Sequence, residues 1–156
     1  MVALDSMDKR ILDVLQADAR ISNQALAKAV GLSPSPCWRR VRRLQQEGVI
    51  DRHVTLLDAE AIGLDVVAFL SVSLDNHHPE TVDEFMAVVD RSDEVLECYM
   101  MSGQNDFLLK VVAESIPAYQ RFLSDNVLRC RGLRAANTSF VLGRRKVTTR
   151  LPIRGG

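Results

Sequence analysis

Through the first fifty positions apolar residues recur at three- and four-residue steps, the rhythm of helices with one buried face. Leu4, Met7, Ile11 and Leu15 mark a first helix, with Asp5 or Ser6 available as its N-cap and Asp8 well placed near its start. Ser22 can cap a second helix that buries Leu26, Ala27 and Val30, although Ala25 stands where a Glu or Gln would complete a capping box. Gly31-Leu32-Ser33 makes a tight turn. A third helix begins in Ser33-Pro34-Ser35-Pro36, where proline is tolerated because a first-turn N–H has no helical partner, and runs to Gly48. Three short helices with a glycine turn between the second and third are the pattern of a helix-turn-helix.

The rhythm then changes. Val49–Leu57 reads as a short extended segment and Asp58–Gly63 as a connector. Val66–Leu74 is strand-like, and Pro79–Asp90 is helical through Val82, Phe85, Met86 and Val89. Val95–Met101 and Asp106–Ala113 read as strands around a turn at Ser102–Asn105. Ile116–Leu128 is helical, with Tyr119, Phe122, Leu123 and Val127 on one side, and Leu133 to about Val147 is a last strand. The fold expected is α+β. An N-terminal three-helix winged helix-turn-helix domain occupies residues 1–52 and a linker strand and hinge 53–64. A ferredoxin-like βαββαβ domain occupies 65–156.

Charge sharpens this picture by its placement. The 156 residues carry 20 basic and 20 acidic side chains, so the chain as a whole is no electrostatic nucleic-acid binder. Yet Ser33–Gln46 holds four arginines and no acid, whereas Asp75–Glu97 holds eight acids and one arginine. A local basic stripe on a neutral chain suits contact with DNA through one element. Cys37, Cys98 and Cys130 are odd in number and lack C-x-x-C spacing, which reads as reduced thiols in a cytoplasmic protein. No apolar run approaches the length of a membrane span, so no membrane partner is expected.

At about 100° per residue, Cys37, Val41 and Leu44 form a narrow apolar seam on the third helix. Arg39, Arg42, Arg43 and Gln46 point the opposite way. Together with Arg40, and with Ser33 and Ser35 at the helix tip, these arginines are the candidate DNA contacts. Guanidinium groups clamp phosphates or chelate guanine O6 and N7 in a major groove. The hydroxyls and backbone N–H groups of the tip offer a phosphate site. Trp38 lies on the flank and is expected to pack, and Cys37 reads as a small buried residue.

With these residues in hand, a family resemblance is specific. Leu4-Asp5, Ile11-Leu12, Arg20-Ile21-Ser22, Leu26-Ala27, Val30-Gly31-Leu32-Ser33 and Cys37-x-x-Arg40-Val41-x-x-Leu44 resemble the Lrp/AsnC family. So do Gly48-Val49-Ile50 and Ser102-Gly103-Gln104-Asn105-Asp106-Phe107-Leu108. The resemblance implies that the second half is a RAM (regulation of amino-acid metabolism) domain. It also implies dimers paired through their sheets, usually gathered into octamers, with an amino-acid effector bound between them. Pro36-Cys37-Trp38 and Val147–Ile153 resemble a proteobacterial subgroup whose members often answer to cysteine or branched-chain amino acids.

Read alone, Ser102–Asp106 is a hairpin turn, since Gly, Asn and Asp are the usual turn residues. The resemblance adds that this turn approaches the effector. Asp106 would then pair with the ammonium, and N–H groups around Gly103 would receive the carboxylate. Ser102, Gln104 and Asn105 complete the turn, and one of Met100 and Met101 would line an adaptable apolar pocket. Thr138 and Ser139 of a second subunit are the candidates to close it.

His53, His77 and His78 lack metal-ligand spacing, with His77-His78 read as a polar loop. Nucleophile elbow, phosphate loop and dinucleotide fingerprint are all missing from the sequence, so neither an enzyme nor a bound cofactor or metal is expected. The function expected is a sequence-specific DNA-binding regulator of amino-acid metabolism, modulated by an amino-acid effector. Its rivals are an effector-independent architectural DNA-wrapping protein and an amino-acid-binding regulatory subunit of an enzyme.

Overall fold

The computed structural model describes residues 2–153. It contains two compact units, one built from the chain up to Thr55 together with the chain from Lys146 onward, the other from Leu56–Arg145.

The first unit holds α1 (Ser6–Ala17), α2 (Asn23–Val30) and α3 (Pro34–Gln46). Asp5 caps α1 through a complete capping box. Its carboxylate accepts from the Asp8 N–H at 2.8 Å, and the Asp8 carboxylate accepts from the Asp5 N–H at 3.2 Å. Ser22 caps α2 by accepting from the Ala25 N–H. Gly31 ends α2 in the left-handed region, φ +75°, where a side chain would be strained, and Leu32 N–H returns to Ala27 C=O at 2.9 Å. Ile11, Leu12, Leu26, Ala27, Val30, Cys37 and Leu44 are buried together as the core.

Two stretches differ in structure from what the sequence suggests. Residues 51–58 adopt no hydrogen-bonded strand, so the expected linker strand has no ladder partner among the described residues. A strand needs a second strand to satisfy its backbone groups, and among the described residues none pairs with this segment. The chain from Lys146, expected in the C-terminal domain, packs in this structure with the first unit. Leu151 exchanges two hydrogen bonds with the Gln16 side chain, Arg150 pairs with Asp13 at 3.0 Å, and Ile153 packs against the helical core.

The second unit is a four-stranded antiparallel sheet, β1 (Val66–Leu74), β2 (Val95–Met100), β3 (Phe107–Ala113) and β4 (Leu133–Phe140), in the order β2-β3-β1-β4. With α4 (Pro79–Asp90) after β1 and α5 (Ile116–Asp125) after β3, this is the expected ferredoxin-like order. Ala68, Leu70, Val72 and Leu74 of β1 alternate onto one face, where Phe107, Leu109 and Val111 of β3 join Phe85, Tyr119 and Phe122 of the helices. β4 stops at Phe140, short of the expected Val147, because its partner β1 begins at Val66 and no ladder remains after Val141 N–H reaches Val67 C=O. Asp125, rather than Leu128, ends α5, and Val127–Arg129 follows as a 3₁₀ turn.

Candidate functional site

The four arginines of α3 divide into two pairs. Arg40 donates to Asp5 at 2.6 Å and to Asp8 at 2.8 Å, and Arg43 donates to the other Asp8 oxygen at 2.5 Å. Asp8 is fully buried, so its charge is held in place by the two guanidiniums and by the Asp5 N–H. The Asp8 N–H and then Arg40 hold the Asp5 carboxyl below its ordinary range. Arg43 Nε has no hydrogen-bond partner, and the Glu47 carboxylate lies 3.8 Å from it. Arg40 and Arg43 thus tie α3 to the start of α1.

Arg39 and Arg42 are exposed, and no ion pair engages either of them among the described residues. They share an exposed surface with Ser35, Trp38, Gln45 and Gln46, with Ser33 at its tip. The Ser33 hydroxyl makes no capping bond, and the start of α3 is fixed instead by the Asn23 amide donating to Pro34 C=O at 2.9 Å. Pro34 and Pro36 carry no N–H, so Ser35 supplies the one free main-chain donor of the first turn between them. The expected anion site therefore rests on that amide and two hydroxyls. Trp38, expected to pack, is 53 % exposed, and Arg42 lies over its ring at 5.4 Å from the centroid. Cys37 is buried, which pushes its thiol pKa up.

The turn between β2 and β3 places Met100, Met101, Ser102, Gly103, Gln104, Asn105 and Asp106 together. Gly103 has φ +142°, a conformation that requires glycine. Met100 and Met101 are both exposed. The N–H groups of Ser102, Gly103, Gln104 and Asn105 donate to nothing among the described residues. Asp106 is already engaged. One oxygen accepts from the Leu74 N–H at 2.7 Å and the other meets His77 Nε2 at 2.7 Å. The Leu74 bond and then His77 hold its carboxyl below the ordinary range. The buried Ser73 hydroxyl supports the same turn through Gln104 C=O and Asn105 Oδ1.

Sequence reasoning missed His77 and Ser73, because neither pairing follows from spacing along the chain. In a single chain β1 separates Thr138 and Ser139 from the turn. Thr138 bonds the Tyr119 hydroxyl at 2.7 Å on the helix side, while Ser139 is exposed on the opposite face of the sheet.

A helix-turn-helix followed in the same chain by a ferredoxin-like sandwich is the two-part plan of a DNA-binding regulator with a ligand-binding domain. Comparison with known proteins agrees. Residues 4–51 match the winged helix-turn-helix DNA-binding family and residues 67–151 match the Lrp/AsnC ligand binding domain. The chain is 36 % identical over 152 residues to the transcriptional regulator AzlB of Bacillus subtilis, covering 97 % of each protein. It is 37 % identical to the leucine-responsive regulatory protein of Escherichia coli, covering 97 % of this chain and 92 % of the relative. Among solved structures, a transcriptional regulator from Neisseria meningitidis in complex with L-Met superposes with a TM-score of 0.92 at 37 % identity, covering 96 % of this chain and 97 % of that one. An AsnC family regulator from Agrobacterium tumefaciens gives 0.90 at 39 %, with the same coverage. The chain belongs to the Lrp/AsnC family of DNA-binding transcriptional regulators.

Proposed function

We propose that this protein is a sequence-specific regulator of amino-acid metabolism that docks α3 in the major groove and responds to an amino acid bound at the Gly103–Asp106 turn. The observation that carries the DNA half is the division of the arginines, which leaves Arg39 and Arg42 unpaired and exposed beside Ser33 and Ser35. The effector half is supported by the free amides of the turn and by the L-Met complex of the Neisseria relative. An effector carboxylate would take the amides and its ammonium would take Asp106 in place of His77.

Assembly into dimers and octamers, with Thr138 and Ser139 closing the pocket from a second copy, fits the apolar surface one chain leaves open. Tyr99, Met100, Leu96 and Phe69 are between 38 % and 77 % exposed around the sheet. Location in the cytoplasm on the nucleoid follows from this reading.

The internal pairing of Asp106 favours a second reading, an architectural DNA binder with no effector. Calorimetric titration of the full chain with the twenty amino acids separates the two. Saturable binding abolished by Asp106→Ala supports sensing; no heat with any amino acid supports the architectural reading. A promoter gel shift abolished by Arg39→Ala with Arg42→Ala tests DNA binding in both.

A further inference from the structure

Trp38 is the sole tryptophan of the chain, and the fold leaves 53 % of it exposed. An indole is a large apolar group that ordinarily finds a core or an interface. At about 100° per residue, Gln45, Trp38, Arg42, Ser35, Gln46 and Arg39 fall in one arc of roughly 120°. All six are exposed. Arg42 does not extend freely from this surface, because its guanidinium sits over the indole at 5.4 Å from the centroid. Stacking of this kind holds the planar fork while leaving its N–H edges free for bidentate bonding.

The neighbours of the indole identify what covers it. Tryptophan and arginine are enriched at protein interfaces as well as on DNA, so the distinction rests on the polar, acid-free set that shares their surface. The exposed arc it shares holds two arginines, two glutamines and a serine, with no acid from Ser33 to Gln46. That set matches base edges and phosphates, and within a major groove the apolar group on offer is the 5-methyl of thymine.

Resting on the reading that α3 docks in DNA, we propose that Trp38 is a specificity-determining residue. Its indole contacts a thymine methyl and orients Arg42 toward the adjacent base pair. Trp38 therefore contributes sequence preference as well as affinity, a role that a packing residue on the flank of the helix would not have.

The experiment is selection of bound duplexes from a random DNA pool by the full-length protein and by W38A and W38F, followed by affinity measurements. Parent-selected sites are expected to contain a fixed thymine. Its replacement by deoxyuridine, which removes the methyl alone, should weaken parent binding about three- to five-fold, the worth of one buried methyl group. The same replacement should change W38A binding less than two-fold. Because the chain has one tryptophan, emission of the unmutated protein gives an independent readout. Saturation with the selected duplex should shift the emission and protect it from iodide, whatever the folding of the variants.

Equal cost of the deoxyuridine replacement in parent and W38A, or an indole equally open to iodide with and without bound duplex, overturns the assignment. Failure of the parent to select any sequence, or unchanged binding by the R39A/R42A double variant, overturns instead the underlying reading that α3 docks in DNA.

Discussion

Asp8 offers the sharpest test of how the DNA-binding unit is held together. Its carboxylate is 1 % exposed and accepts from Arg40, Arg43 and the Asp5 N–H, while the Arg40 and Arg43 side chains are 33 % and 42 % exposed. Breaking a fully buried ion pair costs about 3–5 kcal/mol, whereas exposed pairs contribute roughly 0–1 kcal/mol. A buried acid with two half-exposed donors falls between these, so Asp8→Ala should lose about 2 kcal/mol from the ion pairs. Losing half of the capping box adds about 1 kcal/mol. Against a total stability of about 5–15 kcal/mol the loss is large. At about 4–8 °C per kcal/mol for a unit of this size, unfolding should move down by roughly 10–25 °C.

Asp8→Asn keeps the volume and an acceptor but points an amide N–H at the guanidiniums, so it should lose nearly as much. Trp38 lies in the same unit, so its emission during heating reports on that unit alone. A double-mutant cycle with Arg40→Gln should show coupling of about 1 kcal/mol or more. If Asp8→Ala and Asp8→Asn both melt within about 2 °C of the parent, the claim that these pairs anchor α3 to α1 is wrong.

Replacing Arg39 and Arg42 together by alanine should weaken promoter binding and reduce the salt slope by about 0.9 for each phosphate no longer neutralised, measured by titration at several salt concentrations. Arg40→Ala, by contrast, should lower the melting point of the helical unit, because its guanidinium holds Asp5 and Asp8. Asp106 has its folded pKa lowered, so its contribution to stability is present above the ordinary value of 3.8 and is lost as pH falls through the lower folded value. Protection of the Leu74 amide, referred to the intrinsic exchange rate at each pH, should therefore fall below that range, and Asp106→Asn should remove the pH step. Burial raises the thiol pKa of Cys37, so at neutral pH it should react with a thiol reagent far more slowly in native than in unfolded protein, as followed by peptide mass mapping.

The three helices and the βαββαβ order were legible in the sequence because both rest on local periodicity and on local caps. Asp5, Ser22 and Gly31 fix helix ends through bonds spanning three to five residues, and the apolar alternation of β1 and β3 is a pattern of period two. The arginine stripe, the αL glycine and the turn at Gly103 were visible for the same reason.

The tertiary structure alone decided which arginines are free. Spacing places Arg43 on the outward side of α3, but a buried Asp8 from another helix draws it and Arg40 inward, across 35 and 32 residues of chain. Spacing also puts Trp38 on a flank suited to packing, yet the small core of this unit closes without it. The end of β4 was set by where β1 begins, and the tail from Lys146 by Gln16, Asp13 and the helical core. Asp106 met His77 and the Leu74 N–H because β1 and β3 pair antiparallel and bring the two loops to one end of the sheet. Periodicity determines which face of an element seeks burial, whereas partners distant in sequence decide which of its polar groups are already satisfied. Among the described residues, Arg39 and Arg42 make no ion pair and the amides around Gly103 no hydrogen bond.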